Sequence, residues 1–242
     1  MSTLVRIVVA SIISIFVTSC NFDINLGPGI DGDGNVVVKE RRISDDFDKI
    51  KVSRGIDVIL TQSDDLSLKV EADENLHEII TTEIDNGVLR ISTNENIKYS
   101  DAKKVLLSVK DLSEISTTSG SSVSSKNTFT TEKLIISSTS GSHVDLGIKT
   151  AYLRCDSTSG AGIILSGKTE DLKVSATSGS YIRAGDLRAQ STQVSATSGA
   201  NISVNTEKEL TANASSGGSI RYSGDPEKVS KSDGVSGSIR KN

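Results

Sequence analysis

One serine stands immediately before a glycine in each of seven similar, regularly spaced stretches such as TTSGSS, STSGSH and ATSGSY: Ser119, Ser140, Ser159, Ser178, Ser198, Ser216 and Ser236. A serine in that setting can be a nucleophile on a strained turn or part of a backbone cradle for phosphate. Neither chemistry fits. A nucleophile elbow has glycine two residues before the serine, where this chain has residues such as Ser138 and Ala196. An activated serine also needs a base, and the whole chain has two histidines, His77 and His143, to set against seven equivalent serines. A phosphate cradle wants a lysine after the glycine or a helix starting there; in these seven copies the residues found are Ser, Ala or Gly. What does fit is a repeated corner, in which glycine tolerates a positive φ and the hydroxyls bond the backbone.

Other chemistry-bearing residues are few. Asp31, Asp33 and Asn35 alternate as in an EF-hand loop, but Val36 and Arg42 occupy the positions that need Gly and Glu. Glycan cleavage requires carboxylates clustered on one face. Asp156 has serines, Ser137 and Ser175, at the matching positions of adjacent copies and Arg154 and Lys173 nearby, the pattern of a solvated charge pair. The position two residues after the repeated glycine carries Ser122, His143, Gly162, Tyr181, Asn201 and Ser219. His143, Tyr181 and Asn201 are therefore candidates for a ligand-contacting strip, with Asp156 as a further residue that breaks the repeat. His77 is expected to face solvent. No catalytic residue, metal or cofactor is expected.

The elements that must position these residues follow from periodicity. The glycines recur at 120, 141, 160, 179, 199, 217 and 237, at intervals of 18 to 21 residues. Aligned on them, five positions before stand Ile115, Ile136, Cys155, Val174, Val194 and Ala212, and three after stand Val123, Val144, Ile163, Ile182, Ile202 and Ile220. Polar residues fill the positions between, so each copy has period-two alternation on both sides of a bend. A unit of ~20 residues is too short for a propeller blade and lacks the leucine-rich pattern. The expectation is an all-β parallel β-solenoid in which like columns stack. Cys155 falls in an apolar column and reads as filler. The stretch IKVSRGIDVIL reads as an earlier copy with a corner two residues shorter. Leu76, Ile79, Ile80 and Ile84 have helical spacing before a turn at Asp85 to Gly87, so a short helix is possible there.

The first twenty residues are of another kind. One Arg precedes the apolar run IVVASIISIFV, and TSC then leads to Cys20, which resembles a lipoprotein processing site. The organisation expected is a lipoprotein-type signal peptide over 1–19, a Gly- and Asp-rich tether over 20–41, irregular capping coils over 42–112 and regular solenoid repeats over 113–242. Cys20 is the expected lipidation site, and the partner implied is a membrane reached through that lipid. A net charge of -4 without a basic cluster argues against nucleic acid.

The lipoprotein-like start, FDKIKVSRGIDVILTQ, VEADENLHEIITTEIDNGVLRIS and the repeated TSGS and SGANI corners together resemble the putative auto-transporter adhesin, head GIN domain family, from about Phe47 to about Ser223. The resemblance implies a right-handed parallel β-helix on an exported, lipid-anchored protein, and it brings no catalytic or ligand residues. The function expected is that of a non-enzymatic, lipid-anchored cell-envelope protein, outer-membrane in location and adhesin-like or scaffolding in role, with a surface glycan or protein as ligand. The alternative is a periplasmic or surface β-helix module that binds or cleaves glycans.

Overall fold

The computed structural model describes residues 29–242; the leader and Cys20 lie outside them. Among the described residues there are strands and one 3-10 turn, and no α-helix. The strands stack as a β-solenoid of about seven turns. One interior column runs Ile115, Ile136, Cys155, Val174, Val194 and Ala212, paired in that order in parallel register. A second runs Val123, Val144, Ile163, Ile182, Ile202, Ile220 and Ile239. The members up to Ile220 are 0–3 % exposed, so each turn hides its apolar face on its neighbours. Buried hydroxyls fill one narrow place: Thr117 Oγ1 lies 3.0 Å from both Ser138 Oγ and Ser142 Oγ.

The corners are two-residue turns with positive φ at both central residues, as a type I′ turn requires. Ser140 has φ 54° and Gly141 φ 69°, and the same pair of signs recurs from Ser119–Gly120 to Ser216–Gly217. A Cβ at Gly120, Gly141, Gly160, Gly179 or Gly199 would meet nothing within 4 Å, so backbone conformation and not space calls for glycine. The corners also bond to one another. The N–H of Gly141 donates to the carbonyl of Ser159, and that of Gly160 to Ser178, both at 3.1 Å.

Two details of the repeat differ from expectation. Val52 pairs with Thr117 and Asp57 with Ser122, so the early corner through Arg54 and Gly55 is as long as the later ones. Its N–H of Gly55 donates to Ser119 in the same way. In the last copy Ser236, not Gly237, occupies the glycine's place: the N–H of Gly237 closes the turn on the Gly234 carbonyl at 2.9 Å, as that of Gly218 does on Ser215 one turn earlier, and Ser236 has φ 60°.

The N-terminal end is closed by antiparallel strands. Val88–Thr93 and Lys103–Val109 stack in parallel on the Ile50 and Val58 layer. Ile80–Asp85 then pairs antiparallel with Val88–Thr93, Ser67–Asp73 with Lys103–Val109, and Val36–Arg41 with Ser67–Asp73. Thus Ile30–Asp31 and Val36–Arg41, placed in the tether by sequence, are strands docked on the cap. Arg41 ties the two edges, donating to the carbonyls of Ile80 and His77 at 2.7 Å each. In place of the expected helix there is a 3-10 turn, Glu74–Leu76, followed by strand. The i to i+3 bond from Ile79 N–H to Leu76 carbonyl brings these two side chains inward together, which accounts for the helical spacing. His77 is buried, contrary to expectation, with Nε2 3.1 Å from the Val37 carbonyl.

The other end stops with charge. Lys231 pairs with Ala212 and Asp233 with Ala214, so the last turn puts charged residues where earlier turns have apolar ones. Both are exposed, and such charges discourage another strand from adding to the edge.

Cys155 is fully buried, and burial pushes its thiol pKa well up. In a Cys20→Ala variant it is the sole thiol. It is expected to resist Ellman's reagent in the folded protein and to react fully in guanidinium; rapid labelling of native protein would place it outside the core.

Candidate functional site

The solenoid presents two long outer faces, because strands such as His143–Ser157 bend in the middle. Inward residues alternate from Val144 to Thr150, the alternation slips at Ala151 and Tyr152, and it resumes at Leu153. Residues before the slip lie on one face and residues after it on the other. His143, Gly162, Tyr181, Asn201 and Ser219 are stacked in register on the first face. Asp156 is on the second. There its Oδ2 accepts from Arg154 Nε at 2.8 Å, both side chains partly exposed, and it does not join the strip.

On the first face the sequence-expected residues His143 and Tyr181 come together across the turn between them. Gly162 makes this possible: a Cβ there would overlap the Tyr181 ring. The ring therefore reclines over Gly162, and Tyr181 Oη reaches His143 Nδ1 at 3.3 Å. The two rings are tilted by 45° with centroids 6.4 Å apart. Arg183, two residues along the same strand and on the same side, sets its guanidinium carbon 4.9 Å from the Tyr181 ring centre. A guanidinium stacked this way keeps its donors free while losing much of its rotamer freedom. Asn201 lies beside the ring in the next turn and donates to the Gly199 carbonyl at 3.3 Å. Tyr181, Arg183, Asn201, Ser203, Ser219 and Arg221 line one shallow groove.

Arg183 and Arg221 are not singled out by sequence, where the departures from repeat stand in the column two residues after the glycine. They occupy the neighbouring outward column, four after it, where the other turns carry Ser124, Asp145, Ile164 and Ser203. An arginine recurring at that position was the available signal.

Among the described residues neither histidine bonds a corner serine. Ser119, Ser140 and Ser159 face only the threonine of their own turn, at 3.4–3.5 Å. His77 bonds the Val37 carbonyl and His143 bonds Tyr181.

Residues 46–226 match the family described as putative auto-transporter adhesin, head GIN domain. Among solved structures, a putative adhesin from Bacteroides fragilis is 23 % identical with a TM-score of 0.81, covering 88 % of this chain and 100 % of its own. A putative lipid binding protein from Parabacteroides distasonis is 28 % identical with a TM-score of 0.74, over 89 % and 100 %. A putative adhesin from Parabacteroides merdae is 20 % identical with a TM-score of 0.68, over the same shares. No curated protein matches.

Proposed function

The chain belongs to the family of putative auto-transporter adhesins, head GIN domain, and from that premise we propose that it is a non-enzymatic, lipid-anchored envelope protein that holds a ligand against one side of its rod. The carrying observation is the interlock of His143, Gly162, Tyr181 and Arg183. It sets two aromatic rings and a stacked guanidinium among small polar neighbours, Ser122 below and Asn201 and Ser219 above, on a face where the interior packing does not require them. A side-on site of this kind suits retention of a partner better than turnover, since the groove holds an arginine pair and neutral polar groups and no carboxylate.

The lipid-like leader supports anchoring through Cys20. The nine residues from there to Gly29 reach at most about 30 Å, which keeps the capped end of the rod near the bilayer. The Parabacteroides distasonis structure is named for lipid binding; here the interior columns are packed solid, which favours a lipid covalently attached at Cys20 over one held inside. The anchored rod belongs, on this reading, to the outer membrane. Cys20→Ala is expected to move the protein from the membrane fraction to the soluble fraction. Protease treatment of intact cells should digest the wild-type rod if it faces outward. Unchanged fractionation of the variant would refute the anchor.

A further inference from the structure

We propose that the groove around Arg183 and Arg221 binds an acidic polysaccharide, taking its carboxylate groups on the two guanidiniums and its hydroxyls on the side chains between them. The proposal rests on the reading that this face of the rod is the binding face.

Three arginines, Arg183, Arg221 and Arg240, share one outward column, with Ser203 between the first two. All three are exposed, and among the described residues none lies within ion-pair distance of a carboxylate. The adjacent column contributes Tyr181, Asn201, Ser219 and Ser238, so from Tyr181 onward these two columns hold positive charge and no acid. The opposite face differs. Its outward residues include Asp171, Lys173 and Glu209, and Asp156 is paired with Arg154. Lys149, Lys168 and Arg188 also stack in successive turns, but Glu132, Glu170 and Glu207 stand beside them, so the Arg183 strip differs in holding cations without acids on a chain whose net charge is -4.

Guanidinium groups match planar carboxylates in a two-pronged hydrogen bond, and Arg183 is held for it by its stack on Tyr181. Layers are about 4.8 Å apart, so Arg183 and Arg221, two layers apart, are separated by about 10 Å along the axis. The amide and hydroxyls between them offer donors and acceptors for sugar hydroxyls. The occupant is an extended polar chain and not a folded protein, because the groove's outward lining is arginines, an amide, hydroxyls and one covered ring, and none of the large exposed apolar residues, Val36, Val38, Leu66, Tyr99, Val229 and Val235, lies in it. A stacked nucleobase is disfavoured too, since Arg183 already covers the Tyr181 ring and Gly162 lies beneath it.

The test uses the full chain and three probes: polygalacturonate, neutral dextran, and vesicles of phosphatidylcholine with phosphatidylglycerol. Wild-type protein is expected to bind polygalacturonate, more weakly as salt rises, and to leave dextran unbound. The double variant Arg183→Gln/Arg221→Gln should lose about tenfold or more of that affinity, and Lys173→Gln on the other face should lose none. His143→Ala and Tyr181→Leu should each weaken binding several-fold by freeing Arg183, without altering the melting temperature much. Polygalacturonate binding indifferent to the double variant overturns the proposal. So does Arg-dependent binding to dextran, or to the anionic vesicles alone. If no probe binds while the protein still adheres to envelope preparations through this face, the ligand class is wrong and the binding-face reading stands. If substitutions on this face also leave that adherence unchanged, both fail.

Discussion

Val174→Lys is expected to strip several turns of their structure, whereas Ser175→Lys, one residue along, should leave stability within about 0.5 kcal/mol of wild type. Val174 is 1 % exposed and paired between Cys155 and Val194, while Ser175 points outward. An ammonium forced into that column has no partner there, and a buried charge without one costs roughly 3–5 kcal/mol. In a solenoid that loss is shared by the turns on either side, because each is stabilised mainly by its neighbours. The thermal midpoint should fall by about 10 °C or more. Hydrogen exchange should show the turns carrying Cys155, Val174 and Val194 unprotected, with the cap around Leu68 and Leu107 still closed. Equal effects from the two substitutions would mean that the register is wrong.

Asp73→Asn should loosen the N-terminal end by a comparable amount, roughly 2–5 kcal/mol. The carboxylate is fully buried, and among the described residues it forms no ion pair. Burial pushes its pKa up, but backbone N–H groups of Ala102, Asp101 and Gly34 bond the charged form and bring the net shift downward. The bonds are 2.9 Å from Ala102, 3.1 Å from Asp101 and 3.2 Å from Gly34. An asparagine of the same shape turns an NH2 group towards N–H donors. Because the folded pKa is lowered, the wild-type contribution is complete above the ordinary carboxylate range near pH 4. It is lost as pH falls through the folded value. Acid should therefore release residues 30–36 from the 97–102 segment before the repeats melt, and the Asn variant should lack that acid-induced step. A variant with the wild-type acid profile would remove Asp73 from this role.

The repeat was legible because its columns are set by strict alternation and because like residues stack on like. From Ile115 and Val123 onward, nearly every inward position can be picked out by counting from a glycine. Corners were legible as corners, but not the left-handed conformation of the serine itself, since serine is not a residue that advertises positive φ. The early copy misled by one step. Ile50, Val52, Ile56 and Val58 are all inward, so the run of apolar residues gave two acceptable alignments. The cap was hidden for a different reason. The pairing of Val36–Arg41 with Ser67–Asp73 joins segments far apart in sequence, and Val36 and Val38 are 42 % and 56 % exposed, so no burial pattern announces it. His77 was misplaced because the turn at Glu74–Leu76 rotates it inward against Val37, where helical spacing would have put it outside. Of the candidate strip, His143 and Tyr181 were legible as the ring-bearing members of a column otherwise made of small polar residues and a glycine. The stacking of Arg183 on Tyr181 depends on how far a ring leans over Gly162, which no column count reveals.

The parallel pairing from turn to turn has a mechanical consequence. Bonds between stacked turns run roughly along the rod axis, as between Gly141 and Ser159 at the corners. On the proposed anchoring and ligand site, a pull between the cap and Arg183 would strain those bonds end-on. Under such a load the turns open in succession like the teeth of a zip, and do not resist together as strands sheared lengthwise would. Each turn that opens releases about 60 Å of chain. Loaded along its axis, the rod can thus lengthen turn by turn, a shock absorber wound from its own coils.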